Sequence, residues 1–531
     1  MGVPVSRPGL FARKSTGLVR EVGRFDAIFL NIFYINIPLG LLVFTTAPYI
    51  WPGVDMAFAY TLTILILIIP VCMYAFLVAA MPRSGGDYLF IGRVLHPLPG
   101  VIFAISWILI AALFASAFAA WHTMLGFNPM LMILGIVLNN EGLQASATML
   151  GSPIWVFLIG LVVLALAWVL NLWGWRTVIP VMRVMFSVIA ICLIITVILM
   201  ATTDASEFSN IFSKYAPYQE VITAAQNAGF PVGATSSAGK VIPFIALGWT
   251  VLALFMMPAY IGGELKSPRF TPLIGMMGGM VVTGLIMVTV GWLCYHTFGP
   301  DFLGAMTYLF FEAPEAYPNL PEPMFFMFAM MLTNNIPLLL LIAIGFIFAI
   351  FTGMFVIGLT VNRMILAISL DRVLPDWLAE VHPRFHTPVR ISALFTIICV
   401  FFLALYVFGP PLIFGFVYSA ALLQAIYFLF TAVAAIFFVK RARHIFEASP
   451  FNQRIGRLPV LSLLGILSAI VYLFVIYVLA TNSDIAANDK VGLISIGIIL
   501  LTGVPVYFIS RWVNRKRGVD ITMAFRELPP E

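Results

Sequence analysis

Few residues of this 531-residue chain could do ionic or acid–base chemistry in an apolar setting. Glu264 and Asp371 stand where long apolar runs give way to polar sequence, and are candidates for inner-gate ion pairs with Arg or Lys. Arg183 lies about one to two turns inside an apolar run, where a long basic side chain can snorkel back to the interface. His122 falls near the outer end of another run, which favours an interfacial position over a proton relay. A charge held at membrane depth is a functional candidate by default, so these residues come first. Cys72, Cys192, Cys294 and Cys399 all lie inside apolar runs without CxxC spacing, which reads as buried thiols and no metal site. There is no HExxH, GxSxG, P-loop or intramembrane carboxylate pair, and the histidines do not cluster, so no enzyme chemistry is expected.

The elements that must position these residues are membrane helices. The sequence is 62% hydrophobic and 9% charged, against roughly 25% charged in a soluble domain. A helix needs ~20 apolar residues to cross a hydrocarbon core of ~30 Å. Twelve such runs are predicted at 26–50, 57–80, 99–124, 154–172, 178–201, 243–263, 271–298, 328–361, 391–408, 411–438, 459–480 and 491–511. They are continuous rather than alternating, which excludes a barrel. Of the 28 Lys and Arg residues, 25 fall in the N-terminal tail and the even-numbered gaps; Lys214, Lys240 and Lys490 are the other three. By the positive-inside rule both termini are cytoplasmic. The net charge of +6 is therefore topology, not a nucleic-acid surface. No cleaved signal peptide is expected, and the first helix serves as a signal anchor. The long outer loops at 125–153, 202–242 and 299–327 either cap the outer face or connect through solvent. The Pro-rich stretch 317–323 cannot be helix interior.

Two runs are interrupted near their middles. Asn36-Ile37-Pro38-Leu39-Gly40 breaks the first, and Phe255-Met256-Met257-Pro258, followed by Gly262-Gly263-Glu264, breaks the sixth. Proline removes a donor and pushes the residue before it out of helical geometry. Freed backbone groups survive at membrane depth only where protein or a cavity satisfies them. The two breaks correspond if helices 1–5 (26–201) and 6–10 (243–438) are repeats, with helices 11–12 (459–511) added and tails at 1–25 and 512–531. An odd number of helices per repeat makes the second inverted, and matched breaks point to a transporter's midplane site.

Three loops carry recognisable spacing. They read Met81-Pro82-Arg83-Ser84-Gly85-Gly86-Asp87-Tyr88, then Gly263-Glu264-Leu265-Lys266-Ser267-Pro268-Arg269, then Asn362-Arg363-Met364 with Asp371-Arg372-Val373-Leu374-Pro375 and His382-Pro383-Arg384-Phe385. In order and position they resemble the cytoplasmic loops of prokaryotic-type permeases of the amino acid–polyamine–organocation superfamily. The resemblance spans roughly residues 15–440 and implies a five-plus-five inverted repeat, with substrate held between the unwound middles of helices one and six. Carried over, Asn36, Ile37, Pro38, Leu39 and Gly40 would face the substrate carboxylate, aided by a helix dipole. Leu252, Ala253, Leu254, Phe255, Met256 and Met257 would supply carbonyls for the ammonium group and a side-chain pocket. Phe255 would be an outer-gate aromatic, and Ala115 and Ser116 of helix three would face the same region. The stretch 87–95 reads as an interfacial element closing the inner mouth.

The chain departs from the family pattern in two places. Helix one has Asn-Ile-Pro-Leu-Gly where members carry a glycine-rich break, and helix five lacks the lysine common in proton-coupled members. Thr352 is the evident hydroxyl for a sodium-type site in helix eight, and a lone threonine usually bonds its own backbone. No cofactor is expected beyond a coupling ion, and proton, sodium, exchange and facilitated diffusion all remain open. With an apolar, uncharged centre, the expected function is secondary transport of a neutral, apolar amino acid across the cell membrane by alternating access. The alternatives are an exchanger, an amine or organic-cation transporter, a permease-like sensor and a channel. The partners expected are the small-molecule substrate and the bilayer, without nucleic acid.

Overall fold

The computed structural model describes residues 18–526 apart from Asn36, His386, Pro410, Pro411 and Ala486, with backbone alone for 412–418. Its first span covers Arg24–Ile50, with helix on both sides of Asn36, labelled α1 (Arg24–Ile35) and α2 (Ile37–Ile50). α3 (Met56–Ala80) starts where the Asp55 side chain accepts from the Phe58 amide, as an N-cap should. A buried helix α4 (Asp87–Val94) leads into α5 (Pro97–Trp121). A π-helical turn, His122–Phe127, continues that helix into α6 (Asn128–Val137). Then come α7 (Glu141–Leu150), α8 (Pro153–Leu172), α9 (Trp175–Thr202), α10 (Ala205–Phe212) and α11 (Tyr218–Asn227). The second half holds α12 (Ala238–Leu252), α13 (Met257–Tyr260), α14 (Thr271–Phe298), α15 (Phe302–Glu312), α16 (Phe325–Met331) and α17 (Ile336–Leu370). It ends with α18 (Val389–Phe408), α19 (Leu412–Arg441), α20 (Arg443–Ala448), α21 (Val460–Thr481) and α22 (Lys490–Lys516).

Among the described residues, 11 helices are long and apolar enough to cross a membrane. The chain is an all-α multi-pass membrane protein. The predicted span at 243–263 is not among the 11, because its helix stops at Leu252 and the backbone is non-helical over 254–256. Two other boundaries move. Span three runs on to Val137 through the π turn. Span eight begins at Ile336 rather than 328, because Asn335 caps it through the Leu338 amide; residues 325–331 form the separate α16.

Small residues set the closest packing. An added Cβ at Gly275, Gly278 or Gly279 of α14 would meet Ala27, Ile28 or Asn31 within 3.2 Å, so these glycines bring α1 close, as small residues do between membrane helices. α17 packs against α9, α5 and α1. The loop helix α15 packs on α2, with Phe302, Leu303 and Met306 fully buried. The long loop after α14 is therefore a cap and not a solvated connector.

Candidate functional site

α12 ends with Ala253 N–H donating to Trp249 at 2.7 Å, and the next backbone bond of the ladder is Ala259 N–H to Met256 at 2.8 Å. Between them the amides of Leu254, Phe255 and Met256 close no turn. The first amide of α13, on Met257, is instead taken by Asn31 of α1, whose Oδ1 accepts it at 3.2 Å. The Asn31 amide donates in turn to the Met276 carbonyl of α14 at 3.3 Å. Asn31 thus holds the helix-six interruption against helix one. It sits on an apolar, fully buried face of α1, and a lone asparagine between Leu30 and Ile32 was its only signal in the sequence.

The predicted residues around this interruption divide. Ile37, Pro38 and Gly40 are buried in the first turn of α2, with Leu39 half-buried, while Asn36 lies outside the described residues. The Gly40 α-carbon packs against Met287 and Val251. Leu252, Ala253, Leu254, Phe255 and Met256 are all buried. The Phe255 ring meets Tyr74 edge-on at 5.6 Å. Because Tyr74 belongs to the basic-side end of α3, Phe255 lines that side of the interruption and not the opposite mouth. Ala115 is buried in α5, and the Ser116 hydroxyl is 2.6 and 2.7 Å from the carbonyls of Ala112 and Cys399. Ser116 therefore serves the contact with α18. Thr352 donates to Ala349 within its own helix at 3.0 Å, beside an apolar cavity of about 260 Å³ lined by Ile37, Pro38 and Phe186. His122 is buried rather than interfacial, its Nδ1 2.7 Å from the Phe118 carbonyl, because α5 continues past it.

The face that carries the basic loops is closed by two buried ion pairs, both anchored on α17. Arg363 meets Glu264 through two bonds of 3.0 Å, and the Trp175 indole donates to the same carboxylate at 2.7 Å. This joins α17, α9 and the segment after α13. Eight positions on, Asp371 accepts from Tyr88 at 2.7 Å and Arg93 at 2.8 Å, joining α17 to α4. All four charged side chains are at most 3% exposed. A third pair is peripheral: Arg183 reaches Asp26 at 2.6 Å and is 60% exposed. It is an ion pair rather than a freely snorkelling base.

The Ser84-Gly85-Gly86-Asp87 turn acts through its backbone. Gly85 and Gly86 amides each donate at 3.2 Å to the carbonyls of Tyr260 and Ala259 in α13. Gly86 has φ +56, and a Cβ there would sit 2.7 Å from the Tyr260 ring, so glycine is required twice over. A matching strap holds the other side: Val22 donates to Glu264 at 3.1 Å and accepts from Lys266 at 3.0 Å. α4 is buried on nearly every side, an internal plug instead of an interfacial helix.

Asp87, at the head of α4, went unassigned in the sequence reading. It is fully buried. Its Oδ1 accepts from Tyr74 and from Thr431 at 2.6 Å, and its Oδ2 from Tyr260 at 3.1 Å. Burial raises its pKa above the ordinary carboxylate range, against the lowering effect of the three hydroxyls. Beyond Tyr260, Tyr34 lies at 6.0 Å between ring centroids. The Tyr34 and Tyr427 hydroxyls and the Trp107 indole N–H lie buried beside it. Polar side chains thus gather between α1, α5, α13 and α19. An acid following two glycines and heading an apolar octapeptide is the signal that could have found this cluster.

Buried ion pairs seal one face; among the described residues no group of His, Cys, Asp and Glu could hold a metal ion. No curated protein matched the sequence. The profile of the amino acid permease family matches residues 23–504, which takes in the interruption after α12, all three loop motifs and both buried ion pairs. The chain belongs to the amino acid permease family.

Proposed function

We propose that the chain is a secondary active transporter of a neutral, apolar amino acid that works by alternating access, with twelve helices in a five-plus-five inverted repeat plus two. In this reading α1/α2 and α12/α13 are the matched broken helices, and the basic face and both termini are cytoplasmic. The observation that carries it is the interruption over 254–256, tied to α1 by Asn31. In this reading the first span unwinds at the Asn36-Ile37-Pro38-Leu39-Gly40 stretch and presents backbone groups to the substrate carboxylate. The carbonyls that end α12 take the ammonium group. Ile37, Leu252 and Leu254 leave only apolar surface for the substrate side chain.

One observation favours a second reading. Among the described residues, Asp87 is the fully buried carboxylate without an Arg or Lys partner, and a cationic amine could neutralise it. Three hydroxyls already occupy its oxygens, so the amino acid reading stands first.

Thermal unfolding of the purified protein with each of the twenty amino acids tests this, with and without sodium. Saturating ligand at about 100 times its Kd adds about 2.7 kcal/mol. A rise in Tm with leucine, isoleucine, valine, methionine or phenylalanine is expected, followed by uptake into proteoliposomes. Stabilisation by amines alone would replace the substrate assignment.

A further inference from the structure

The Asp87 cluster joins parts that, on the reading above, must separate. Its three hydroxyl partners come from α3 (Tyr74), α13 (Tyr260) and α19 (Thr431). α13 lies directly after the helix-six interruption, and the backbone of residues 84–86 is bonded to it. The other titratable groups nearby are Tyr34 of α1, Tyr427 of α19 and Tyr472 of α21, all neutral hydroxyls. The cations around α4 are committed elsewhere. Arg93 is bonded to Asp371, Arg363 of α17 to Glu264, and Arg441 of α19 to the carbonyls of Val94 and Leu95. α5 contributes no charged residue to this contact.

An ionised carboxylate in such a place has burial against it and only hydroxyl donors and the start of a short helix in its favour. A protonated one is neutral, and each surrounding hydroxyl can turn to accept its proton. The carboxyl is therefore suited to closure when protonated and to opening when ionised.

We propose that the Asp87 carboxyl is a proton-binding site that must be protonated for the basic face to close. The inference rests on the transporter reading for the existence of an open state. As the basic face closes, one proton leaves hydronium on that side and forms the Asp87 O–H bond. That bond breaks when the face opens and water enters, returning the proton to water as hydronium on the same side, so no net proton crosses. No other bond changes.

A first readout needs no substrate. Infrared spectra of the purified full-length protein at neutral pH should contain a protonated-carboxyl band, shifted in heavy water, that is missing from Asp87→Asn. A spectrum unchanged by the substitution overturns the proposal. The second readout is amide hydrogen exchange over residues 84–95 as pH rises, corrected for the intrinsic pH dependence of exchange. The unmodified protein should lose protection there as Asp87 ionises. Asp87→Asn, which is neutral at every pH, should stay protected throughout. Asp87→Glu, which keeps the carboxyl, should lose protection with a displaced pH midpoint and guards against misfolding of the asparagine variant. Protection that falls with pH equally in the unmodified protein and in Asp87→Asn overturns the proposal. If the protein transports no amino acid, the transporter reading fails while both readouts still decide Asp87.

Discussion

The two faces of this protein are closed by different chemistry. On the basic face, Glu264–Arg363 and Asp371–Arg93 are buried ion pairs hung on one helix, α17. On the opposite face, α15 and α16 close over α2 with rings. Phe302 stacks on Tyr218 at 4.8 Å and meets Phe328 at 5.5 Å, and Thr307 donates to the Thr45 carbonyl at 3.1 Å. Charges are costly when half-separated in a dry place, so an ion-paired closure is either made or hydrated. Aromatic closure is a sum of many small contacts and can loosen by degrees. One face is therefore a switch set by charge, and the other a lid set by packing.

The sharpest way to break the comparison is Arg363→Ala. It leaves Glu264 buried with the Trp175 indole as its remaining side-chain donor. Stripping one member from a buried pair costs about 4 kcal/mol. Thermal unfolding in detergent should show a large loss, and replacing both partners with apolar residues of similar size should restore most of it. If the single and double variants lose equally, the pair acts through shape and not charge.

Phe302→Ala strikes the other closure. It deletes a fully buried ring among Phe208, Phe212, Tyr218 and Phe328. The expected loss is about 3 kcal/mol, the low end for such deletions because neighbouring rings can close on the space. Phe302→Leu should recover much of it. The distinguishing result is functional: Phe302→Ala should bias the protein toward opening at α15, read as faster labelling of a cysteine placed at Thr45. Arg363→Ala should not.

Both closures were unequally visible in the chain. Glu264 and Asp371 could be singled out because acids are rare in such a sequence and stood beside loop motifs. Their partners could not be assigned, since Arg93 and Arg363 reach them across 278 and 99 residues. The helix-six interruption was legible because Pro258 and the following glycines mark it locally. Asn31 was not, because its role exists only once α14 glycines bring α1 near. Ser116 and Thr352 illustrate the reverse. Their positions along helices three and eight were sound, but a hydroxyl's partner depends on helix rotation, which periodicity in a uniformly apolar run does not define. The aromatic lid was left open, because α15 lies in a loop that read equally as cap or connector and α16 falls mostly in the predicted span 328–361.

A pH test sharpens the contrast on the lid side. Glu322 lies in the Pro-rich stretch ahead of α16, and burial lifts its carboxyl from 4.5 to about 7. An acid held above its unfolded value contributes stability that is complete below about 4.5 and is lost as pH rises to about 7. The lid should thus loosen from weakly acidic to neutral pH, seen as faster amide exchange over 317–331. Glu322→Gln should flatten that dependence.

The smallest effect belongs to the pair that looks most like the other two. Arg183 contacts Asp26 at 2.6 and 3.2 Å, a geometry as good as that of Arg363 with Glu264. Yet Arg183 is 60% exposed, against 3% for Arg363. An exposed pair gains little over its separate ions, because a freed arginine can reach the headgroup region and the carboxylate can recruit water. Asp26 also keeps the Gly23 amide at 3.1 Å. Arg183→Ala should therefore cost no more than about 1 kcal/mol in thermal unfolding. A loss as large as that of Arg363→Ala would mean that burial does not separate the strong pairs from the weak one. The basic face would then extend out to α1 and α9, and the switch would have three contacts to break in place of two.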